Sequence, residues 1–317
     1  EISLLGYKPS FTVFDEDDRL SLIKRTLANL EIDAKRYNPQ MFVRKISKLK
    51  TELIYPENYK SYDFFTRLLS RIYGNYQTEL KNANALDFDD LIALTVRIFK
   101  NYPEVLDQYQ DRWKYLLIDE YQDTSFDQYT LIKLLSQKYE NIFAIGDDAQ
   151  SIYAFREADI RNILNFQKDY PKAKVIFLEQ NYRSTKNILA AAQNIISNNQ
   201  NQVPKTLWTD NTEGESIFIK EAFNERAEAG FIAEKISEFT AKKGYEFNDF
   251  AVLYRTHAQS RAIEESFISN GLPYQIVGGI KFYERKEIKD ILAYVKVLVN
   301  PTDAISFERI YNTPVRG

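Results

Sequence analysis

Three short apolar runs, each closing on polar side chains, constrain this chain more than any other feature. Tyr115-Leu116-Leu117-Ile118 ends in Asp119-Glu120, Ile142-Phe143-Ala144-Ile145 ends in Gly146-Asp147-Asp148, and Val175-Ile176-Phe177-Leu178 ends in Glu179-Gln180. Runs of this length suit buried strands. Helical spacing fills the intervals, at about 125–139, 157–169 and 184–198. Buried strands alternating with helices imply a parallel sheet covered on both faces. In such a sheet ligands sit beyond the carboxyl ends of the strands. The polar residues after each run are therefore the first candidates for chemistry.

The flanking segments read differently. Residues 15–85 show only helical spacing, with Asp15 or Asp17 as a cap before Leu20, Ile23, Leu27 and Leu30. An all-helical subdomain is expected there, followed by a helix at 87–100. A linker is expected at 200–215, around Pro204, Asn211 and Gly214. Alternation then resumes, with strands at 216–222, 250–254 and 274–277 and helices at 225–243, 257–270 and 284–299. The predicted class is α/β, divided at 1–85, 86–203 and 204–317.

Composition excludes several kinds of chemistry. The 317 residues contain no cysteine and one histidine, which rules out disulfides and thiolate or His-rich metal sites. No apolar run is long enough for a transmembrane helix, and a cytoplasmic location is expected. The net charge of −3 requires any basic footprint to be local. One acid-free stretch carries Lys35, Arg36, Arg44, Lys45, Lys48 and Lys50, which a solvated helix face explains equally well.

At the first strand end, Asp119 could hold Mg²⁺ through water and Glu120 could take a proton from an attacking water; a surface turn or helix cap is the plainer alternative. At the second, Gln150 would lie beside those acids if the strands are neighbours, where its amide could orient water or sense a γ-phosphate. Asx capping of a turn accounts for the same residues. Tyr153, Phe155 and Arg156 could stack on unpaired bases or belong to a core. At the third, Arg183 could reach a phosphate and Tyr182 could stack on a nucleobase; a surface ion pair is the alternative for Arg183. Their order narrows the choice. A metal and base pair, a sensor with stacking aromatics, and an arginine with an aromatic follow one another as in a phosphoryl-transfer motor.

The segments Asp119-Glu120-Tyr121-Gln122-Asp123-Thr124, Gly146-Asp147-Asp148-Ala149-Gln150-Ser151-Ile152-Tyr153 and Leu178-Glu179-Gln180-Asn181-Tyr182-Arg183-Ser184-Thr185 resemble motifs II, III and IV of the UvrD/Rep/PcrA superfamily 1 helicases, with the PcrA-like branch the nearest resemblance. Leu86-Asp87-Phe88-Asp89-Asp90-Leu91, the segment from Tyr254 to Arg261 and that from Gly278 to Tyr283 are similar to further family segments. The resemblance implies partial RecA-like P-loop NTPase sheets with the helical subdomain of residues 1–85 inserted in the first motor domain. It implies an ATP-dependent DNA helicase of bacteria, with ATP as substrate, Mg²⁺ as cofactor, single-stranded and duplex DNA as partners, and roles in repair and replication. Movement would run 3′ to 5′. By the same resemblance Asp119 and Glu120 bind Mg²⁺, Glu120 activates water, Gln150 couples the γ-phosphate to DNA, Tyr182 packs near adenine and Arg183 contacts the γ-phosphate. Tyr153, Phe155 and Arg156 match the DNA-stacking segment, where relatives often carry Trp in place of Phe155. Arg255 and Lys281 are further DNA-contact candidates.

Two family elements are missing from these residues: the phosphate-binding loop and the later motifs that carry the family's second arginine. No G-x-x-x-x-G-K-[ST] loop occurs anywhere in the chain. The chain is therefore expected to be an internal piece, inactive alone, with sheet edges left open and a tendency to self-associate. A non-catalytic DNA-binding module, part of a helicase–nuclease, or an unrelated doubly wound Mg²⁺ enzyme are the competing readings. Asp119, Gln150 and Arg183 are expected side by side along one sheet edge.

Overall fold

The computed structural model describes residues 1–199, 202–277 and 286–314. It divides into two compact units, Glu1–Asn181 with Ala192–Trp208 and Lys286–Gly317, and Tyr182–Ala191 with Thr209–Arg285.

In the first unit, a short strand β1 (Thr12–Phe14) leads into helices α1 (Glu16–Asn29), α2 (Pro39–Thr51) and α3 (Phe64–Asn82). Local chemistry sets their starts. The Asp15 carboxylate accepts from the backbone of Asp17 and Asp18, and Asp18 returns the bond to Asp15. Asn38 caps α2 ahead of Pro39, and Asp63 caps α3. Apolar side chains at helical spacing, among them Leu22, Ile23, Phe42, Ile46, Ile72 and Tyr76, bury one another as the main core. Strand β2 (Ala85–Asp87) pairs in parallel with β1, and Asp87 caps α4 (Phe88–Asn101).

After α5 (Pro103–Arg112) come β3 (Leu116–Ile118), α6 (Phe126–Ser136) and β4 (Ile142–Ala144). β3 and β4 are parallel neighbours, with Leu116 opposite Ile142 and Ile118 opposite Ala144. The ladder runs on past the strands, because Ile145 donates to the Ile118 carbonyl and Tyr121 to the Ile145 carbonyl. The helix expected at about 157–169 is instead two short ones, α7 (Arg161–Leu164) and α8 (Phe166–Asp169). Glu157, in the left-handed region at φ 64°, ends the preceding turn. Asp159 then accepts from the Arg161 backbone and so delays the helix start.

Four expected strands do not form. Residues 175–178, 216–222, 250–254 and 274–277 are irregular, and Leu178, Ile219, Leu253 and Val277 are 77 to 90% exposed. A strand exists only through a neighbour's N–H and C=O groups. The apolar pattern encodes a tendency to be buried; it does not supply the partner. The helices around them do form: α9 (Lys186–Ile196), then α10 (Glu225–Lys243) and α11 (His257–Ser269); Ala233 and Ile236 of α10, Phe267 of α11 and Leu272 just beyond it make a small core in the second unit. The architecture is thus mixed: mostly helical, with short parallel sheets.

Helices α12 (Lys286–Val299) and α13 (Ala304–Ile310) pack within the first unit. Lys289 pairs with Asp15 at 2.9 Å and Lys296 with Asp18 at 3.1 Å. Asn300, 3% exposed, donates to the carbonyls of Ala83 and Asn84. Ile305 joins the main core.

Candidate functional site

Parallel pairing of β3 and β4 brings the polar segments that follow them to one end of the same sheet. Asp119 and Glu120 leave β3 exposed. The Glu120 N–H donates to Asp119 Oδ1 at 2.9 Å, and Glu120 itself adopts the left-handed region at φ 49°. Gln122, 1% exposed, links the two strand ends. Its Nε2 donates to Glu120 Oε2 at 2.8 Å, and its Oε1 accepts from the Asp147 backbone at 3.0 Å. Gly146 leaves room for that amide, since a Cβ there would lie 2.7 Å from both Gln122 Oε1 and Ile163 Cδ1.

Beyond β4, Asp147 caps the turn Asp148–Gln150. Gln150 is exposed and donates from Nε2 to Asp147 Oδ2 at 2.8 Å. Lys205 contacts Asp147 Oδ1 and lies 2.8 Å from Asp148 Oδ1. Burial pushes the Asp147 carboxyl up, but the hydrogen bonds from Lys205 and Gln150 outweigh it and hold the group below the usual carboxylate range. Glu120, Gln122, Asp147, Gln150 and Lys205 thus form one connected hydrogen-bond network. Sequence reasoning missed Gln122 and Lys205. The Gln122 amide lies inside the acidic motif that followed β3, whereas Lys205 lies in the presumed linker and carried no signal.

Tyr153 and Phe155, which the sequence allows as either core or stacking residues, are 37% and 70% exposed. Their ring centroids are 5.8 Å apart, and the Arg156 guanidinium lies 5.1 Å from one and 5.6 Å from the other. Tyr182 is 78% exposed, and Arg183 is exposed too; both belong to the second unit. The expected single edge carrying Asp119, Gln150 and Arg183 is therefore an edge of two strands. Just beyond the third run, among the described residues, one parallel bridge joins Gln180 to Trp208 before the chain leaves the unit. Arg255 is exposed in the second unit, and its backbone donates to Gln259 Oε1. Lys281 lies outside the described residues.

The acid-free basic stretch from Lys35 to Lys50 does not lie wholly on the surface. Lys50 is 1% exposed and binds Asp87 at 2.7 Å and Asp90 at 2.8 Å, so it cannot contribute to a surface footprint. Among the described residues no group of three or more His, Cys, Asp or Glu is placed to hold a metal. The exposed pair Asp119 and Glu120 still suits Mg²⁺, which takes one or two carboxylates and completes its shell with water and phosphate oxygens. No described helix is long and apolar enough to cross a membrane.

Residues 1–171 match the UvrD/REP helicase N-terminal domain, and residues 176–317 match the UvrD-like helicase C-terminal domain. The chain belongs to the UvrD/REP helicase family. Its relatives include proteins named ATP-dependent DNA helicase PcrA from Staphylococcus aureus and Staphylococcus epidermidis, each 49% identical over 99% of this chain. The alignment covers 43% of each relative, so the chain spans less than half the length of these curated family members. The ends of β3 and β4 carry the segments that resemble motifs II and III of this family.

Proposed function

We propose that this chain is part of an ATP-dependent DNA helicase motor, which couples Mg-ATP hydrolysis to 3′-to-5′ movement on single-stranded DNA and to duplex unwinding in repair and replication. The carrying observation is the shared sheet end: Asp119, Glu120 and the Gln150 turn emerge from adjacent parallel strands in a chain of this family. The sheets are read as partial RecA-like P-loop NTPase sheets, with residues 1–85 as the inserted helical subdomain, 86–203 completing the first motor domain and 204–317 opening the second.

In this reading Asp119 and Glu120 hold Mg²⁺, which would offset phosphate charge when bound. Glu120 accepts the proton of the attacking water, and Gln122 holds that carboxylate in place. Gln150 orients the water and responds to the γ-phosphate. Tyr182 packs near the adenine and Arg183 stabilises the transferring phosphoryl group. Tyr153, Phe155 and Arg156 stack on unpaired bases, with Arg255 and Lys281 as further DNA contacts. A bacterial cytoplasmic location and association of the chain with a second copy belong to the same reading.

The test is DNA-stimulated ATP turnover by a protein carrying this chain at the full length of its relatives. Glu120→Gln is expected to lower turnover by about 10² to 10⁴, and Asp119→Ala to do likewise while single-stranded DNA binding persists. Unchanged turnover in both variants would move the chain to a non-catalytic DNA-binding role.

A further inference from the structure

We propose that Lys205 is a positioning residue that fixes the side-chain amide of Gln150 through Asp147, so that Gln150 presents its carbonyl oxygen outward at the strand ends. The function assigned to Gln150 rests on the reading above, whereas the clamp itself does not.

The clamp is built from both chain directions. Lys205 Nζ reaches Asp147 Oδ1 and Asp148 Oδ1. The Val203 N–H donates to Asp148 Oδ2 at 2.7 Å, and Gln193 Nε2 donates to the Lys205 carbonyl at 3.3 Å. All these residues lie in one compact unit. The Lys205 side chain is 20% exposed and that of Asp148 6%, so the ammonium is partly withdrawn from water and faces two adjacent carboxylates. Without it, those like charges would repel, and one carboxylate would turn to solvent or take up a proton.

Ionisation of Asp147 then decides which way Gln150 faces. A carboxylate only accepts hydrogen bonds, whereas an amide has a donor end and an acceptor end. Asp147 Oδ2 therefore selects the Nε2 end of Gln150 and leaves Oε1 pointing away. An acceptor in that position can take a hydrogen from a water and hold its lone pair toward a target; an NH₂ group cannot. The same Asp147 reaches Glu120 through its own N–H and Gln122. Lys205 thus anchors the network on the side opposite the candidate base. The segment that the composition marks as a connector contributes a member of the site.

Side-chain amide NMR on the chain tests the clamp directly. The Gln150 signals are assigned by their loss in Gln150→Glu. One Gln150 amide proton is expected to exchange about tenfold more slowly than those of freely exposed glutamines, to lose that protection in Lys205→Met, and to keep it in Lys205→Arg. Lys205→Gln serves as the second neutral variant should Lys205→Met fail to fold, with melting curves as the check. Protection that persists without the lysine charge overturns the proposal, and so does a Gln150 amide that is unprotected in the unsubstituted chain. A second arm measures ATP turnover at the full length of the relatives. There Lys205→Met is expected to lower kcat about tenfold with little change in KM, the signature of an interaction used only in the transition state. Loss of protection with unchanged kcat leaves the clamp standing and overturns the sensing role of Gln150.

Discussion

Lys50 sits at the end of a basic run, yet its charge is spent inside the protein, between Asp87 and Asp90. Burial and the neighbouring Asp87 charge push the Asp90 carboxyl up to about 6. Burial also acts on Asp87, but Lys50 and Arg19 overcome it and hold that group down. An acid with a raised folded pKa keeps its proton where the unfolded chain has already lost it. The folded state then binds more protons, and stability falls as pH rises from the ordinary 3.8 to about 6. The slope is at most about 1.4 kcal/mol per pH unit. Asp90→Asn is expected to flatten the thermal-melting profile across that window. An unaltered profile would place the titration elsewhere. At Gly146 the constraint is steric: Gly146→Ala must displace both Gln122 Oε1 and Ile163 Cδ1, and the shift of the Gln122 amide uncouples Glu120 from Asp147. Such a variant is expected to lose about 1–3 kcal/mol of stability and to lower ATP turnover at the full length of the relatives; wild-type melting and turnover would show that the gap closes harmlessly.

The β3–β4 pair was legible because both strands are short apolar runs and each meets the other within the chain. The irregular 175–178 was not, since its pattern matches theirs and only the missing neighbour differs. The start of α1 was legible because Asp15 caps it, whereas α13, capped by Asp303, was not, its apolar pattern being too short to read as a helix. The break between α7 and α8 was not, because it depends on the backbone turn at Glu157. The turn Ala154–Arg156 sets Phe155 outward, 70% exposed, beside Tyr153 and Arg156. Exposed stacking side chains contribute about 1–3 kcal/mol per base in single-strand binding. Phe155→Ala is therefore expected to weaken oligo-dT binding at the full length of the relatives by that amount, and Phe155→Trp to preserve or strengthen it. Fluorescence anisotropy reads both, and equal affinity for all three proteins would remove Phe155 from the DNA interface.

For the whole chain, 317 residues without a phosphate loop are expected to give no DNA-stimulated ATP turnover alone, because loss of one phosphoryl-transfer element already costs about 10³ to 10⁵ in rate. Measurable stimulated turnover by the purified chain would contradict this. Leu117 on β3 and Phe143 on β4 are 77% and 58% exposed, and open apolar strands recruit partners. Concentration-dependent light scattering above the monomer mass is therefore expected; a constant monomer mass across concentrations would count against it. The local order of residues determined the longer helices, the cap at Asp15, the two polar strand ends and the family, because each depends on neighbours along the chain or on a linear motif. Tertiary structure decided the rest: which apolar runs find a strand partner, that Lys50 is a core charge, that Lys205 belongs to the Asp147 turn, and that α12 and α13 pack beside α1. Each of those depends on groups far apart in sequence, and hydrogen-bond partners and burial are fixed only when the chain brings them together.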